Sequence, residues 1–363
     1  MKNLLLLLCL MALLGCAAPA TPESAAAPFT VTDALGREVA FNAPPERIVI
    51  AGRANFMLSD AVYLFPQAPE RVIALTQATQ ITAAFLSLLD ADYEQKVQFT
   101  TDSGAEEILT ARPDVVLLKS MMADSLGAAL TELGIPVVYL DFETPEQYRR
   151  DLATLGELFA DPTRARAIQS FYDAQLARVT AELADVLSNV DALPSVLVLR
   201  YNDQGGEVAL QAPPAAWIQT QLTTLAGGEP VWRAAAQGGG WAVINFEQIA
   251  AWNPDVIFII NYTSDVDATV AALRADPQWQ SLAATRAGRL YAFPKDYYSW
   301  DQPDTRWSLG LLWMASALHP ERVTIAMDAA IYQFYATLYN LDAAMVDAHV
   351  LPRLEGDVFI AQP

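Results

Sequence analysis

Histidine and cysteine are almost missing from this chain. Its 363 residues hold two of each, His319, His349, Cys9 and Cys16. So few imidazoles exclude the His-rich clusters that hold bare zinc or manganese. Neither histidine stands beside a serine or cysteine motif, so a Ser-His-Asp hydrolase would have to bring one across the fold. There is no Gly-x-Ser-x-Gly, and Gly238-Gly239-Gly240 lacks the Gly-Lys-Ser/Thr of a phosphate loop. Basic residues are also scarce. Lysine and arginine number 22 against 42 acids, a formal charge of −20. A surface that acidic excludes nucleic acid as a partner. The one long apolar run, Leu4 to Leu14, is too short to span a bilayer. Carboxylate pairs such as Asp296 with Asp301 read as loop charges rather than an acid/base dyad.

What is present begins with that apolar run. Lys2 precedes it and Leu13-Leu14-Gly15-Cys16 closes it, so residues 1–16 read as a secretory signal. The closing tetrad resembles the lipobox of bacterial lipoproteins, which implies that Cys16 becomes a lipidated N-terminus. Residues 17–28, rich in Ala and Pro, then serve as a tether. Cys9 leaves with the signal, and with Cys16 lipidated no thiol remains for a disulfide or a nucleophile. An apolar content of 53% is ample for two domain cores.

The chain is organised about residues 161–190. Asp161 is a suitable N-cap and Pro162 suits the first helical position. Ala165, Ile168, Tyr172, Leu176, Val179, Leu183 and Val186 follow at helical spacing. The run predicts one helix of about 40 Å. A repeated signature flanks it. Glu106 begins Glu-x-Ile-x4-Pro-Asp ahead of Val115-Val116, and Glu247 begins the same pattern ahead of Val256-Ile257. Each predicts a short helix stopped before proline, then a buried strand. The signature divides the chain into an N-terminal α/β lobe over 29–160 and a C-terminal α/β lobe over 191–363, bridged by the helix.

In the first lobe, a hairpin at Asp33 to Gly36 precedes predicted strands at Ile48–Ala51, Val72–Leu75, Val115–Leu118 and Val137–Leu140. Helices are expected around 57–63, 79–89 and 124–133. In the second, strands are expected at Val196–Leu199, Val256–Ile260 and Leu290–Phe293. Helices are expected around 215–226, 276–284, 306–318 and 323–339, with an irregular tail from Val350. The alternation gives an α/β fold with mostly parallel sheets. Ligands in such sheets sit beyond the carboxyl ends of the strands.

Taken together, these motifs are similar to the substrate-binding lipoproteins of ABC importers for iron-siderophore, haem and cobalamin. Thr32 to Val39 with Pro44-Pro45-Glu46-Arg47 resembles that family's opening. Leu225-Ala226-Gly227-Gly228 and Gly288-Arg289-Leu290-Tyr291 fit as well. Glu229-Pro230 departs, since relatives often carry Asn after the glycine pair. The resemblance implies two lobes with a ligand cleft between them and little hinge motion. It implies a monomer on the outer face of the cytoplasmic membrane, delivering a metal chelate to an ABC permease dimer. It further implies that Glu106 and Glu247 pair with one permease subunit each. No resident cofactor is implied, because any metal arrives inside its chelate. The competing reading is a secreted enzyme or chelatase on a similar bilobal fold.

The strand ends then supply candidates for the cleft. They are Arg53, Gln77 and Lys119 from the first lobe, with Arg200, Trp241, Tyr262, Tyr298, Trp300 and Arg306 from the second. Planar amphipathic rings stack on a catecholate, porphyrin or corrin, and cations meet its carboxylates or phenolates. The expected lining is therefore aromatic and locally basic.

Overall fold

The unalternating apolar runs become the strands of two sheets. The computed structural model describes residues 27–77, 85–189, 192–204 and 206–360. Cys16, the signal, most of the tether and part of the helix expected at 79–89 lie outside them. The hairpin of β1 (Phe29–Thr32) and β2 (Glu38–Phe41) stands apart. The first large sheet contains β3 (Ile48–Ile50), β4 (Val72–Thr76), β5 (Val97–Phe99), β6 (Val115–Lys119) and β7 (Val137–Leu140). Its order is β5-β4-β3-β6-β7, and every pair is parallel.

The second sheet is mixed. It holds β8 (Ser195–Asn202), β9 (Ala209–Ala212), β10 (Glu229–Pro230), β11 (Ala242–Val243), β12 (Val256–Ile260) and β13 (Leu290–Ala292). The order is β11-β9-β8-β12-β13, with β10 on β8. The β8-β12-β13 core is parallel, while β9 and β11 are antiparallel. Neither β9 nor β5 was legible as a strand, because each is short and carries polar residues on its edge.

The helix between the lobes starts as expected. Asp161 accepts the Arg164 N–H at 2.9 Å, and Pro162 opens the Pro162–Glu182 helix. It is shorter than 161–190, about 32 Å. Leu183 leaves helical geometry and buries its side chain, and a separate turn, Ala184–Leu187, follows. Apolar spacing continues through Val186, so the sequence hides the break. Near its start, Arg164 reaches both sides of the molecule. Its guanidinium donates to the Leu64 carbonyl at 2.8 Å and to the Thr337 carbonyl at 3.0 Å.

The repeated Pro-Asp motif has a structural cause. Arg112 and Asn253, each just before the proline, take φ values of 50° and 40°; Asn253 is the left-handed cap of its helix, and Arg112 turns the chain three residues past the end of its own. The following aspartates then staple the entry of a neighbouring strand. Asp114 accepts the Arg47 N–H at 2.9 Å ahead of β3, and Asp255 accepts the Ser195 N–H at 2.8 Å at the start of β8. Backbone bonds run the other way, Asp114 N–H to Arg47 O and Asp255 N–H to Ser195 O, both 2.9 Å. The two lobes thus repeat one helix-to-strand device.

The preceding helices are Ala105–Leu109 and Phe246–Trp252. Ser103 and Glu106 look like a capping box in the sequence, but they do not form one. Gly104 is the N-cap, and the Ser103 hydroxyl instead accepts the Thr100 N–H at 3.0 Å. The reciprocal box belongs to Asn245 and Gln248.

Candidate functional site

A cleft of about 590 Å³ opens where the carboxyl ends of the two sheets face each other. On the first-lobe side it lies beyond β3 and β6. The chain runs outward from β3 through β4 and β5, then returns to place β6 on the other flank of β3. That reversal is a topological switch point, where the diverging connections leave a crevice.

This side contributes Ala54 and Met57 after β3, Lys119, Ser120 and Met121 at the end of β6, and Asp141, Glu143 and Gln147 after β7. A helix cap fixes Glu143. Thr144 accepts the Gln147 N–H at 3.2 Å, and Gln147 Oε1 accepts the Glu143 N–H at 2.8 Å. The opposite side is aromatic and amide-rich, made of Trp217, Gln219, Trp241, Tyr262, Gln302 and Pro303 with Gly239. Trp241 meets both Trp217 and Tyr262 edge to face, at centroid distances of 5.5 and 6.2 Å.

Beneath that wall lies Asp301, fully buried. It accepts the Tyr262 hydroxyl at 2.5 Å, the Gln219 side-chain amide at 3.0 Å and the Ser299 hydroxyl. Burial raises the Asp301 carboxyl above the usual range against the pull of those three donors. Burial, together with the Asp301 charge, pushes the Tyr262 phenol well above its ordinary value, so it remains a donor. Asp301 therefore sets the orientation of two cleft side chains.

The structure brings together only some of the expected site residues. Lys119, Trp241 and Tyr262 line the cleft. Arg200 stands behind the wall, its guanidinium 5.5 Å from the Trp241 ring centroid and 5.3 Å from that of Tyr262. Arg53 is exposed next to Ala54 without joining the lining. Gln77 is exposed, with its backbone N–H on the Phe99 carbonyl at 2.9 Å.

Tyr298, Trp300 and Arg306 do not line the cleft. Trp300 is 0% exposed and its indole N–H donates to Asp296 at 2.9 Å. Gly310 lies so close below that a Cβ there would sit 2.2 Å from the Trp300 carbonyl oxygen. Tyr298 is buried against Phe56, stacked at 5.6 Å. Arg306 is 0% exposed and spans Asp60 at 2.8 Å and Asp296 at 2.5 Å. These three make a buried junction between the lobes.

The lining is not basic either. Among the described residues its one cation, Lys119, is paired with Glu143, and Asp141 stands beside them. Asp141 and Glu143 directly follow the predicted strand Val137–Leu140, and their place beyond a strand end is the sequence signal for them. Trp217 and Gln219 gave no such signal. They reach the cleft from a segment whose place depends on how the second sheet packs.

Glu106 and Glu247 are exposed, and each is the second residue of its helix. Neither makes an ion pair among the described residues. His319 shares a hydrogen bond with the Gly227 carbonyl at 3.1 Å, and neither histidine lines the cleft. No helix among the described residues is long and apolar enough to cross a membrane.

Comparison with known proteins agrees with this geometry. The family model described as periplasmic binding protein matches residues 75–297. The molybdate-binding protein MolA of Haemophilus influenzae is 23% identical over 253 residues, covering 65% of this chain and 69% of its own. A vitamin B12-binding protein of Yersinia pestis is 26% identical over 233 residues, covering 59% of this chain and 78% of its own. A periplasmic solute-binding protein from Veillonella parvula shares the fold with a TM-score of 0.71 and 23% identity, covering 89% of this chain and 97% of its own.

Proposed function

Since this chain belongs to the periplasmic binding protein family, we propose that it captures a metal chelate on the outer side of the cytoplasmic membrane and delivers it to an ABC permease. A ferric siderophore is the first choice, with haem and cobalamin as the alternatives. The observation that carries this reading is the cleft itself, about 590 Å³ with an aromatic wall. That volume suits an organic ligand of drug size or larger. A bare oxyanion occupies only a few times the roughly 30 Å³ of a water, and would leave most of the cleft unfilled. One relative's name records molybdate and another's vitamin B12. The cleft volume favours the larger solute. Against the enzyme reading stands the lining, where the Ser120 hydroxyl donates to Asp141 and no histidine approaches.

Trp241 is the ring to test, because it faces the cleft. Tryptophan fluorescence should be quenched on titration with at least one ferric siderophore, haem or cobalamin. Trp241→Ala is expected to bind that chelate about tenfold more weakly, on the order of 1–2 kcal/mol. If no chelate binds while a sugar, a peptide or a free metal ion does, the chelate reading fails.

The anchoring reading rests on Leu13 to Cys16 and the Ala/Pro tether. Expressed with its leader, the protein should partition into the detergent phase, and Cys16→Ser should move it to the aqueous phase. Wild-type protein that is fully aqueous and cleaved away from Cys16 would contradict lipidation. The docking reading assigns Glu106 and Glu247 to the two permease subunits, supported by their matching helix positions.

A further inference from the structure

The hydrogen-bonding state of the cleft wall points to the charge class of its solute. Among the described residues, three ionisable side chains other than Tyr262 line it, Lys119, Asp141 and Glu143. Lys119 is 2% exposed. Its ammonium donates to Glu143 Oε1 and the Asp141 carbonyl, and it lies 3.7 Å from Met57 Sδ. An ammonium has three protons, and these partners use them. Asp141 takes the Ser120 hydroxyl on one oxygen and the Arg150 guanidinium on the other at 2.8 Å.

Across the cleft the donors also turn inward. Tyr262 and the Gln219 amide both donate to Asp301. Because the carboxylate accepts, the Gln219 amide orientation is fixed, and its Oε1 faces away from Asp301. That oxygen and Gln302 Oε1 are buried without a partner, in residues only 3% and 5% exposed. Arg200 keeps its charge behind the Trp241 and Tyr262 rings. Residues 78–84 add no ionisable side chain to the sequence.

We propose that the cleft selects chelates whose periphery is uncharged or cationic, and that Glu143 sets this preference by occupying Lys119. The inference rests on the chelate reading above. A polyanion meets the Glu143 carboxylate instead of a free ammonium, and like charges in a partly desolvated site reject it. Glu143→Gln keeps the side-chain shape and releases the Lys119 charge toward the cleft.

The test compares four probes by direct titration at low salt. Two have an uncharged or cationic periphery, a ferric trihydroxamate and cobalamin. Two are anionic, a ferric tricatecholate and haem. Wild type is expected to bind at least one of the first pair at least about tenfold more tightly than either of the second. Glu143→Gln should shift the ratio of affinities about tenfold toward the anionic probes. Glu143→Asp retains the charge and should retain the wild-type order. Wild type favouring an anionic probe, or a ratio unmoved by Glu143→Gln, overturns the charge selectivity while leaving the chelate reading in place. No binding by any of the four overturns both.

Discussion

Arg306→Met is expected to destabilise the fold by about 3–5 kcal/mol, a large part of the roughly 5–15 kcal/mol that holds most domains together. The guanidinium is fully buried and joins two carboxylates from different parts of the molecule. Asp60 comes from the Asn55–Val62 helix after β3, and Asp296 from the segment after β13. Asp304 is buried beside them, with one carboxylate oxygen unpartnered. Removing Arg306, the only cation that the described residues place in this cluster, leaves carboxylates without compensation in a buried site.

The sign of the pH dependence follows from Asp304. Burial holds its carboxyl well above the ordinary value, Arg306 pulls it down, and Asp60 pushes it up. Without Arg306 it rises further. A carboxyl with a raised folded pKa contributes stability below its unfolded pKa, about 3.9, and loses it as pH climbs through the folded value. The deficit of Arg306→Met should therefore be smaller near about pH 4 than at neutrality. Urea midpoints followed by circular dichroism at both pH values measure it. A deficit under about 1 kcal/mol, or one that grows on acidification, would show that Arg306 does not carry the junction.

The double variant Glu106→Arg, Glu247→Arg is expected to abolish uptake in cells while chelate affinity stays within about twofold. Both glutamates are exposed and stand outside the cleft lining. Each occupies the second position of a helix that leads into the same Pro-Asp staple, one per lobe. A negative charge there is favoured by the helix dipole, so reversal costs at most about 1 kcal/mol per site and the fold survives. The Asn245–Gln248 box caps one helix without Glu247, and no side chain caps the other. Helix capping therefore does not account for this pair. Labelled-chelate uptake, read beside titration of the purified variant, separates docking from binding. Normal transport by the double variant would end the docking reading.

Much of the architecture was readable in advance. The two parallel cores show as Val/Ile/Leu runs because strands covered on both faces have no polar side to alternate with. The bridging helix shows through Asp161, Pro162 and its periodic apolar residues. The repeated motif shows because Pro113 and Pro254 stop helices wherever they stand. Lys119 and Tyr262 were placed by the rule that ligands gather at strand ends, and Trp241 by its position after Gly238-Gly239-Gly240, signals that follow from local order alone.

Which aromatics face solvent was decided elsewhere. Trp300 and Tyr298 follow a strand end just as Tyr262 does, and sequence spacing cannot tell the three apart. Asp296 separates them. Its carboxylate draws in the Trp300 indole, the Tyr335 hydroxyl and Arg306, and folds the segment back into the junction. Arg306 finds Asp60 across 246 positions of chain, a pairing fixed by the docking of the lobes and by no local preference. The same holds for Lys119, whose charge reads as free in the sequence until Glu143, 24 residues on, closes over it. Periodicity and chain punctuation act over a few residues, so the sequence by itself determined the parallel core strands and the start of the long helix. Burial and charge pairing act between segments distant along the chain, so only the tertiary structure decided which strand-end residues form the cleft wall and which form the core.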